Sequence, residues 1–154
     1  DHFRLIVWIQ PDIWIVFDEI VGSQGVRYEN NIHFFPGSVL KLIEGSHFKV
    51  NLASNEMKIS GFGNCDVQCA HGSLSGKPQG WYSEEFGILQ KNSVLTFKGE
   101  ANGGQPFGYM IFLGEIVPKI EVNRTAAGWT ADITVGTESM RLLKNKAEIS
   151  LNRF

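Results

Sequence analysis

The sequence contains little cysteine and little charge, and both scarcities narrow what the chain can be. Its two cysteines, Cys65 and Cys69, are too few for a fold that is held together by disulfides. Charged residues make up 19% of the chain and the net charge is −2, so no overall field attracts nucleic acid or an acidic membrane surface. An acidic polysaccharide would need a local basic patch.

Long apolar runs and familiar catalytic motifs are also missing. No apolar stretch approaches the roughly 18 residues of a membrane-spanning helix, and no signal peptide is visible. The chain lacks a Gly-rich phosphate loop, a Gly-x-Ser-x-Gly elbow and a His-Glu-x-x-His helix. It begins at Asp1 without a Met, and we interpret it as a piece of a longer protein. We expect no membrane or nucleic-acid partner and no cofactor.

Aromatic residues and glycine are plentiful. The 154 residues include 11 Phe, 4 Trp, 3 Tyr and 17 Gly, and 43% of the chain is hydrophobic. Aromatic segments interrupted by glycine are typical of strands and turns. The length and composition predict one globular domain over residues 1–154 with a core of its own.

The first two predicted strands form a hairpin. Residues 3–9 and 13–20 flank Pro11-Asp12, which are turn residues. With the turn centred there, Arg4 falls opposite Glu19, although a slip of one residue is possible. The second strand is apolar on both faces, so we expect it to be central and covered on both sides.

The rest of the chain predicts more short strands separated by turns. The third strand, 26–35, alternates polar and apolar residues. Further strands are predicted at 38–43, 47–52, 56–61, 65–70, 93–100, 107–116 and 119–124, with three more within 128–151 and a surface loop at 71–80. No helix of ten or more residues is expected. The pattern predicts an all-β protein, a two-sheet antiparallel β-sandwich.

One face of the third strand carries four polar residues. Arg27, Glu29, Asn31 and His33 form either a solvated face or the wall of a groove for a polar ligand such as a sugar. We expect this strand to be central, beside the second strand. That position and the mixed chemistry favour a surface toward a partner or a glycan.

Asp18 is a carboxylate within an apolar strand. A buried carboxylate needs a partner, so Asp18 is either a structural group bonded to a neighbouring strand or turn, or a metal ligand or active-site support. The structural interpretation is favoured.

Cys65, Cys69 and His71 lie at alternate positions of one predicted strand. On a strand the two sulfur atoms would be about 13 Å apart, too far for one metal or a disulfide. Free, half-buried thiols are therefore favoured over a zinc site.

Trp81 and Tyr82 follow the predicted loop. The segment from Gly80 to Gly87 is either a strand entry that buries Trp81 and Phe86 or an aromatic platform for sugar rings.

Three motifs in order resemble the heparinase II/III-type polysaccharide lyases. The resemblance covers residues 4–116, and its third motif is the most specific. The motifs are Asp12-Ile-Trp-Ile-Val-Phe-Asp-Glu-Ile20, Ile32-His-Phe-Phe-Pro-Gly37 and Gly80-Trp-Tyr-Ser-Glu-Glu-Phe-Gly87.

The resemblance implies a C-terminal β-sandwich that packs on an N-terminal α/α toroid. Such lyases cleave uronic-acid polysaccharides by β-elimination, with the main Tyr and His on the toroid. We therefore expect an accessory domain of a larger lyase, with an acidic polysaccharide and the toroid as partners, inactive alone. The family favours a bacterial periplasmic or secreted location.

Some relatives hold a metal in the sheet through a His-Asp-His set. Asp18 and His33 match two of the places, but Leu5 stands at the first, and the nearby His2 is expected to face the other way. No metal is predicted. The alternatives are a free-standing carbohydrate-binding module and a structural interaction domain.

Overall fold

The computed structural model describes residues 1–22, 24–52, 55–145 and 148–154, and these residues form strands and turns with no helix. Nor do they contain a helix of the length and apolar character that crossing a membrane requires. The first seven strands are β1 (His2–Ile9), β2 (Ile13–Ile20), β3 (Gln24–His33), β4 (Val39–Glu44), β5 (His47–Leu52), β6 (Asn55–Phe62) and β7 (Cys65–His71). The others are β8 (Trp81–Tyr82), β9 (Gln90–Lys91), β10 (Ser93–Asn102), β11 (Phe107–Phe112), β12 (Lys119–Arg124), β13 (Gly128–Val135), β14 (Glu138–Asn145) and β15 (Ile149–Arg153).

The strands form three larger antiparallel sheets and one small one. A six-stranded sheet has the order β1-β2-β11-β6-β5-β4, a three-stranded sheet the order β3-β10-β7, and a four-stranded sheet the order β12-β13-β14-β15. Strands β8 and β9 pair by themselves. The predicted all-β antiparallel fold without a helix is confirmed, and the structure adds a third layer to the two sheets expected.

The six-stranded sheet is the middle layer because it contributes to two separate hydrophobic cores. Ile15 and Phe17 of β2 pack with Trp129 and Met140 of the four-stranded sheet. On the other face, Ile59 of β6 packs with residues of the three-stranded sheet, including Leu95 and Phe97. Alternate residues of a strand point to opposite faces, which explains why β2 has no polar face.

The hairpin of β1 and β2 differs by one residue from the predicted register. Ile9 pairs with Ile13, so the loop has three residues, and Arg4 lies opposite Asp18 rather than Glu19. Glu19 lies opposite Phe3. The alternative slip left open by the sequence is the one that forms, and it places the Arg4 guanidinium beside the most buried carboxylate.

The predicted position of β3 was wrong. β2 is an inner strand as expected, but its second neighbour is β11 and not β3. β3 is an edge strand of another sheet and pairs only with β10 among the described strands. Phe107 of β11 lies beside Asp18, and Asn30 and Tyr28 of β3 contact these two residues from the next layer.

Candidate functional site

The outer side of the three-stranded sheet carries the polar residues that the sequence singled out. Residues directly opposite each other in neighbouring antiparallel strands share a face. β10 therefore adds Lys98 beside Glu29 and Glu100 beside Arg27. The polar face, as we call this surface, comprises Arg27, Glu29, Asn31 and His33 of β3, Lys98 and Glu100 of β10, and Asp66 of β7. All four β3 residues on it are exposed.

One end of the polar face forms a shallow groove. It encloses about 350 Å³ and is lined by Arg27, Asn64, Asp66, Lys98, Gly99 and Glu100. Its two cations and two carboxylates balance, so the groove is not a basic patch. Donors and acceptors nevertheless lie close together there, as recognition of neutral hydroxyl groups requires.

The other end of the polar face is covered by the chain itself. The Gln79 amide donates to Asn31 Oδ1 over 3.5 Å, and the buried Thr96 hydroxyl donates to the same oxygen over 2.7 Å. Lys77 Nζ lies 3.5 Å from Glu29 Oε2. The segment 71–80 is thus a surface loop as predicted, but it lies on the sheet. Arg27 lines the groove, whereas Asn31 is bonded within the chain.

Trp81 holds this loop in place. Its indole Nε1 donates to the Ser73 carbonyl over 3.1 Å, and Lys91 Nζ lies 5.9 Å from the ring centroid. Tyr82 packs its ring against Phe35 with centroids 5.6 Å apart. Both residues are half-buried, and neither lines the groove. Phe86 of the same motif is fully exposed, so it is not part of the core.

Asp18 lies between the two layers and binds three side chains. Arg4 donates to it twice, from Nε to Oδ1 over 2.7 Å and from a terminal nitrogen to Oδ2 over 2.9 Å. The Asn30 amide donates to Oδ2 over 2.7 Å, and His2 Nε2 lies 2.9 Å from Oδ1. The carboxylate is 1% exposed, so these bonds replace the water it has lost.

The surroundings keep Asp18 ionised. Burial raises its pKa, but hydrogen bonds from Arg4, Asn30 and His2 outweigh burial, and the resulting pKa lies below the usual value. A general acid or base near neutral pH needs the opposite shift. The arrangement therefore suits a fixed carboxylate that ties β1, β2 and β3 together.

The His-Asp-His places do not come together as a set. His2 faces Asp18, contrary to the expectation that it points away. His33 lies on the polar face of β3, whereas Asn30 on the opposite face makes the contact with Asp18. Leu5 packs against the core between the six-stranded and four-stranded sheets. No cluster of three or more His, Cys, Asp or Glu suited to a metal is found among the described residues.

The two cysteines are free thiols on the inward side of β7. Cys65 is half-buried and packs against the second core, and Cys69 is exposed. Burial raises the pKa of both thiols, with Asp66 adding to the shift at Cys65. His71 lies on the same side of the strand and hydrogen-bonds the Ser93 hydroxyl over 3.2 Å.

Two hydrogen-bond partners of Asp18, Asn30 and Arg4, were not predicted from the sequence. Asn30 sits at an inward position of β3, between Tyr28 and Ile32, where the alternation calls for an apolar residue. That break in the pattern was the available signal. Arg4 was noticed but assigned to Glu19, because the length of the turn is not encoded in the strand pattern.

Comparisons with known proteins return no relative: no family model, curated protein or solved structure matches this chain.

Proposed function

We propose that this chain is an accessory β-sandwich domain of a heparinase II/III-type polysaccharide lyase and that its polar face lies toward the glycan cleft or the catalytic toroid. The observation that carries the proposal is the groove at the end of the polar face, where Arg27 lies among the carboxylates of Asp66 and Glu100, Lys98 and Asn64. The family itself enters through the three ordered motifs, the most specific of which begins at Gly80.

The chemistry of the groove supports a sugar more than a protein helix. Sugar hydroxyls both donate and accept hydrogen bonds, and carboxylates, amides and guanidinium groups in a row offer both functions in fixed directions. A helix would need an apolar stripe to dock on. Because the groove is electrically balanced, it would contribute orientation and specificity rather than long-range attraction of a polyanion.

The catalytic step is assigned to the toroid and not to this chain. The buried carboxylate Asp18 has a lowered pKa and stays ionised. It therefore has no proton to give to a leaving oxygen. We expect the isolated chain to release no unsaturated uronate from heparan sulfate, alginate or chondroitin. The measurement is the ultraviolet absorbance of the unsaturated product. A steady increase with purified chain would contradict the assignment.

The decisive experiment uses the full-length protein with Arg27→Ala and His33→Ala. Lys41→Ala is the matched control, because Lys41 is an exposed cation on β4 of the middle sheet. We expect Arg27→Ala to weaken glycan binding or turnover about tenfold, as loss of a charge-assisted hydrogen bond does. His33→Ala should act in the same direction, and Lys41→Ala should match wild type. If both polar-face variants fold, bind and turn over like wild type, that face is only solvated surface.

The same groove also suits a free-standing carbohydrate-binding module, since all its lining residues belong to this chain. Glycan affinity measured on the isolated chain and on the full-length protein separates the two. Equal affinities would favour the module; a much higher affinity of the full-length protein would favour the lyase domain.

A further inference from the structure

β1 forms an edge of the six-stranded sheet with apolar side chains exposed on both of its faces. The strand has 8 residues and pairs with β2 along its whole length without a shift in register. No described strand lies on its outer side. Ile6 is 62% exposed, Trp8 55% and Phe3 48%. A long, regular, apolar edge strand is a template for pairing with another strand.

The backbone groups of β1 that face outward can be assigned from one end of the hairpin. The Asp1 amine donates to the Val21 carbonyl over 3.0 Å, and the Val21 amide donates to the Asp1 carbonyl over 2.8 Å. In an antiparallel ladder such doubly bonded pairs alternate with pairs that make no bond to each other. The even-numbered residues of β1 therefore direct their N–H and C=O groups away from β2. They are His2, Arg4, Ile6 and Trp8.

Nothing in β1 blocks the approach of another strand, whereas the other edge strands carry features that do. Charges, prolines and bulges are the usual means of protecting an edge. β1 contains no proline, and its only Lys, Arg, Asp or Glu is Arg4, which is bonded twice to Asp18. β4 has a register shift between Leu42 and Glu44. Each other edge strand of the three larger sheets carries an exposed charged side chain: Lys41 in β4, Arg27 in β3, Asp66 in β7, Lys119 in β12 and Arg153 in β15.

We propose that two copies of this chain associate edge to edge, β1 against β1, about a two-fold axis that passes beside Leu5. Residues opposite each other in antiparallel strands point to the same face, so even-numbered residues must pair with even-numbered ones. With the axis at Leu5, His2 lies opposite Trp8 of the second copy. Arg4 lies opposite Ile6 of the second copy. All the outward backbone groups of β1 are then bonded, and the two middle sheets form one continuous sheet.

The chemistry of β1 favours a copy of itself as the partner. The edge is apolar on both faces, and a two-fold contact supplies a matching surface by identity. Arg4 faces Ile6 of the second copy, so no like charges oppose each other. Trp8 is already ordered, because its ring stacks on Trp14 and its indole donates to the Pro11 carbonyl over 3.2 Å. The contact uses no residue of the polar face and does not depend on the glycan function.

Analytical ultracentrifugation of the purified chain over a range of concentrations measures the association, and we expect a monomer–dimer equilibrium. Ile6→Pro should weaken the dimer about a hundredfold, because it removes one outward N–H from each copy without breaking a bond to β2. Ile6→Lys should also weaken it, since a lysine would then oppose Arg4 of the second copy. Leu42→Lys is the matched control. Leu42 is 55% exposed on β4, the opposite edge, so this variant should dimerise like wild type.

A cysteine at the two-fold axis tests the register. Leu5 would face Leu5 of the second copy in a pair without hydrogen bonds, where Cα atoms are about 4.5 Å apart. That separation permits a disulfide. Leu5→Cys should therefore give a covalent dimer on a non-reducing gel after oxidation with diamide. Wild type, with its free Cys65 and Cys69, and Leu42→Cys give the background and should run as monomers.

A monomer at every concentration would overturn the inference. So would a dimer that both Ile6 variants leave intact, a dimer that Leu42→Lys weakens equally, or oligomers that grow beyond the dimer, because a two-fold contact closes after two copies. A chain that sediments as a dimer but gives no covalent dimer with Leu5→Cys would overturn the register. Thermal melting shows whether each variant is folded. If Ile6→Pro does not fold, Ile6→Lys, at an exposed side chain, decides.

Discussion

At the scale of single residues, Asp18 is the buried carboxylate whose hydrogen bonds connect two layers of the structure. It joins β1 and β2 of the middle sheet to β3 of the next through Arg4 and Asn30. The sequence predicted that this carboxylate would be structural, from its place in an apolar strand. It could not predict the partners, because these depend on a one-residue choice of register and on contacts between layers.

Asp18→Asn should destabilise the fold by about 2–3 kcal/mol, since hydrogen bonds to a charged group contribute about that much. Urea denaturation measures the free energy of unfolding. Asp132→Asn is the control, because Asp132 also makes a bidentate pair with an arginine, Arg141, but on the surface. Surface pairs contribute little, so its loss should be much smaller. Equal losses of unfolding free energy would show that the buried contacts of Asp18 stabilise the fold no more than a surface ion pair does.

The lowered pKa of Asp18 gives the same contact a pH dependence. A carboxyl group whose pKa is lower in the folded state stabilises the fold above its unfolded pKa, about 3.9, and loses this contribution as the pH falls further. The stability difference between wild type and Asp18→Asn should therefore be constant from pH 7 to about 5 and shrink below about 4. Urea titrations across this range measure it; a difference that grows on acidification would contradict the sign.

The first and last glycines of the Gly80–Gly87 motif allow the cost of backbone strain to be measured apart from the cost of a steric clash. Gly80 and Gly87 have φ of +79° and +83°, so alanine is strained at both, by about 1–2 kcal/mol. At Gly80 a Cβ would also lie 2.5 Å from Gly72 N and 2.7 Å from Asn92 O, whereas nothing lies within 4 Å of it at Gly87. Gly80→Ala should therefore cost at least about 2 kcal/mol more than Gly87→Ala in urea denaturation. Similar losses of unfolding free energy at the two positions would mean that the backbone around Gly80 shifts to accommodate the Cβ without cost.

At the scale of strands, the sequence predicted positions well and pairings poorly. The predicted strand at 13–20 is β2, and Gly136-Thr137 separates β13 from β14 as expected. Local alternation and turn residues carry that information. The pairing of β2 with β11 joins residues about 90 positions apart and has no local signature, so β3 was placed in the wrong sheet. β9 was not predicted, and β8 was offered only as one of two interpretations of the segment from Gly80 to Gly87, since two residues show no period.

Phe97 of β10 is one of the side chains that pack the three-stranded sheet against the middle layer. Phe97 is 1% exposed and stacks on Tyr109 of β11 with ring centroids 5.9 Å apart. Phe97→Ala should cost about 3–5 kcal/mol, the usual range for a buried phenylalanine. Phe86→Ala, at a fully exposed phenylalanine, should cost less than about 0.5 kcal/mol. Denaturant melts of both variants measure this, and a small loss at Phe97 would contradict the layered packing.

At the scale of the whole molecule, the two hydrophobic cores share one sheet and should unfold together. β11 and β6 supply residues to both clusters. Hydrogen exchange in increasing urea should therefore give β13 and β10 the same opening free energy, although they lie in different outer sheets. If β13 opens at much lower urea than β10, the four-stranded sheet is an independent unit.

Asp18 and Glu19 are neighbours in sequence, and they attach to different outer sheets. Asp18 binds Asn30 on one side of the middle sheet, and Glu19 binds Lys144 on the other. A slip of β2 by one residue would carry Asp18 into the place of Phe17, within the apolar core, and would present Ile20 to Lys144. The slipped hairpin would lose its polar contacts with both outer sheets. Insertions and deletions between the turn at Pro11 and Glu19 are therefore the changes this chain can least accept during its evolution.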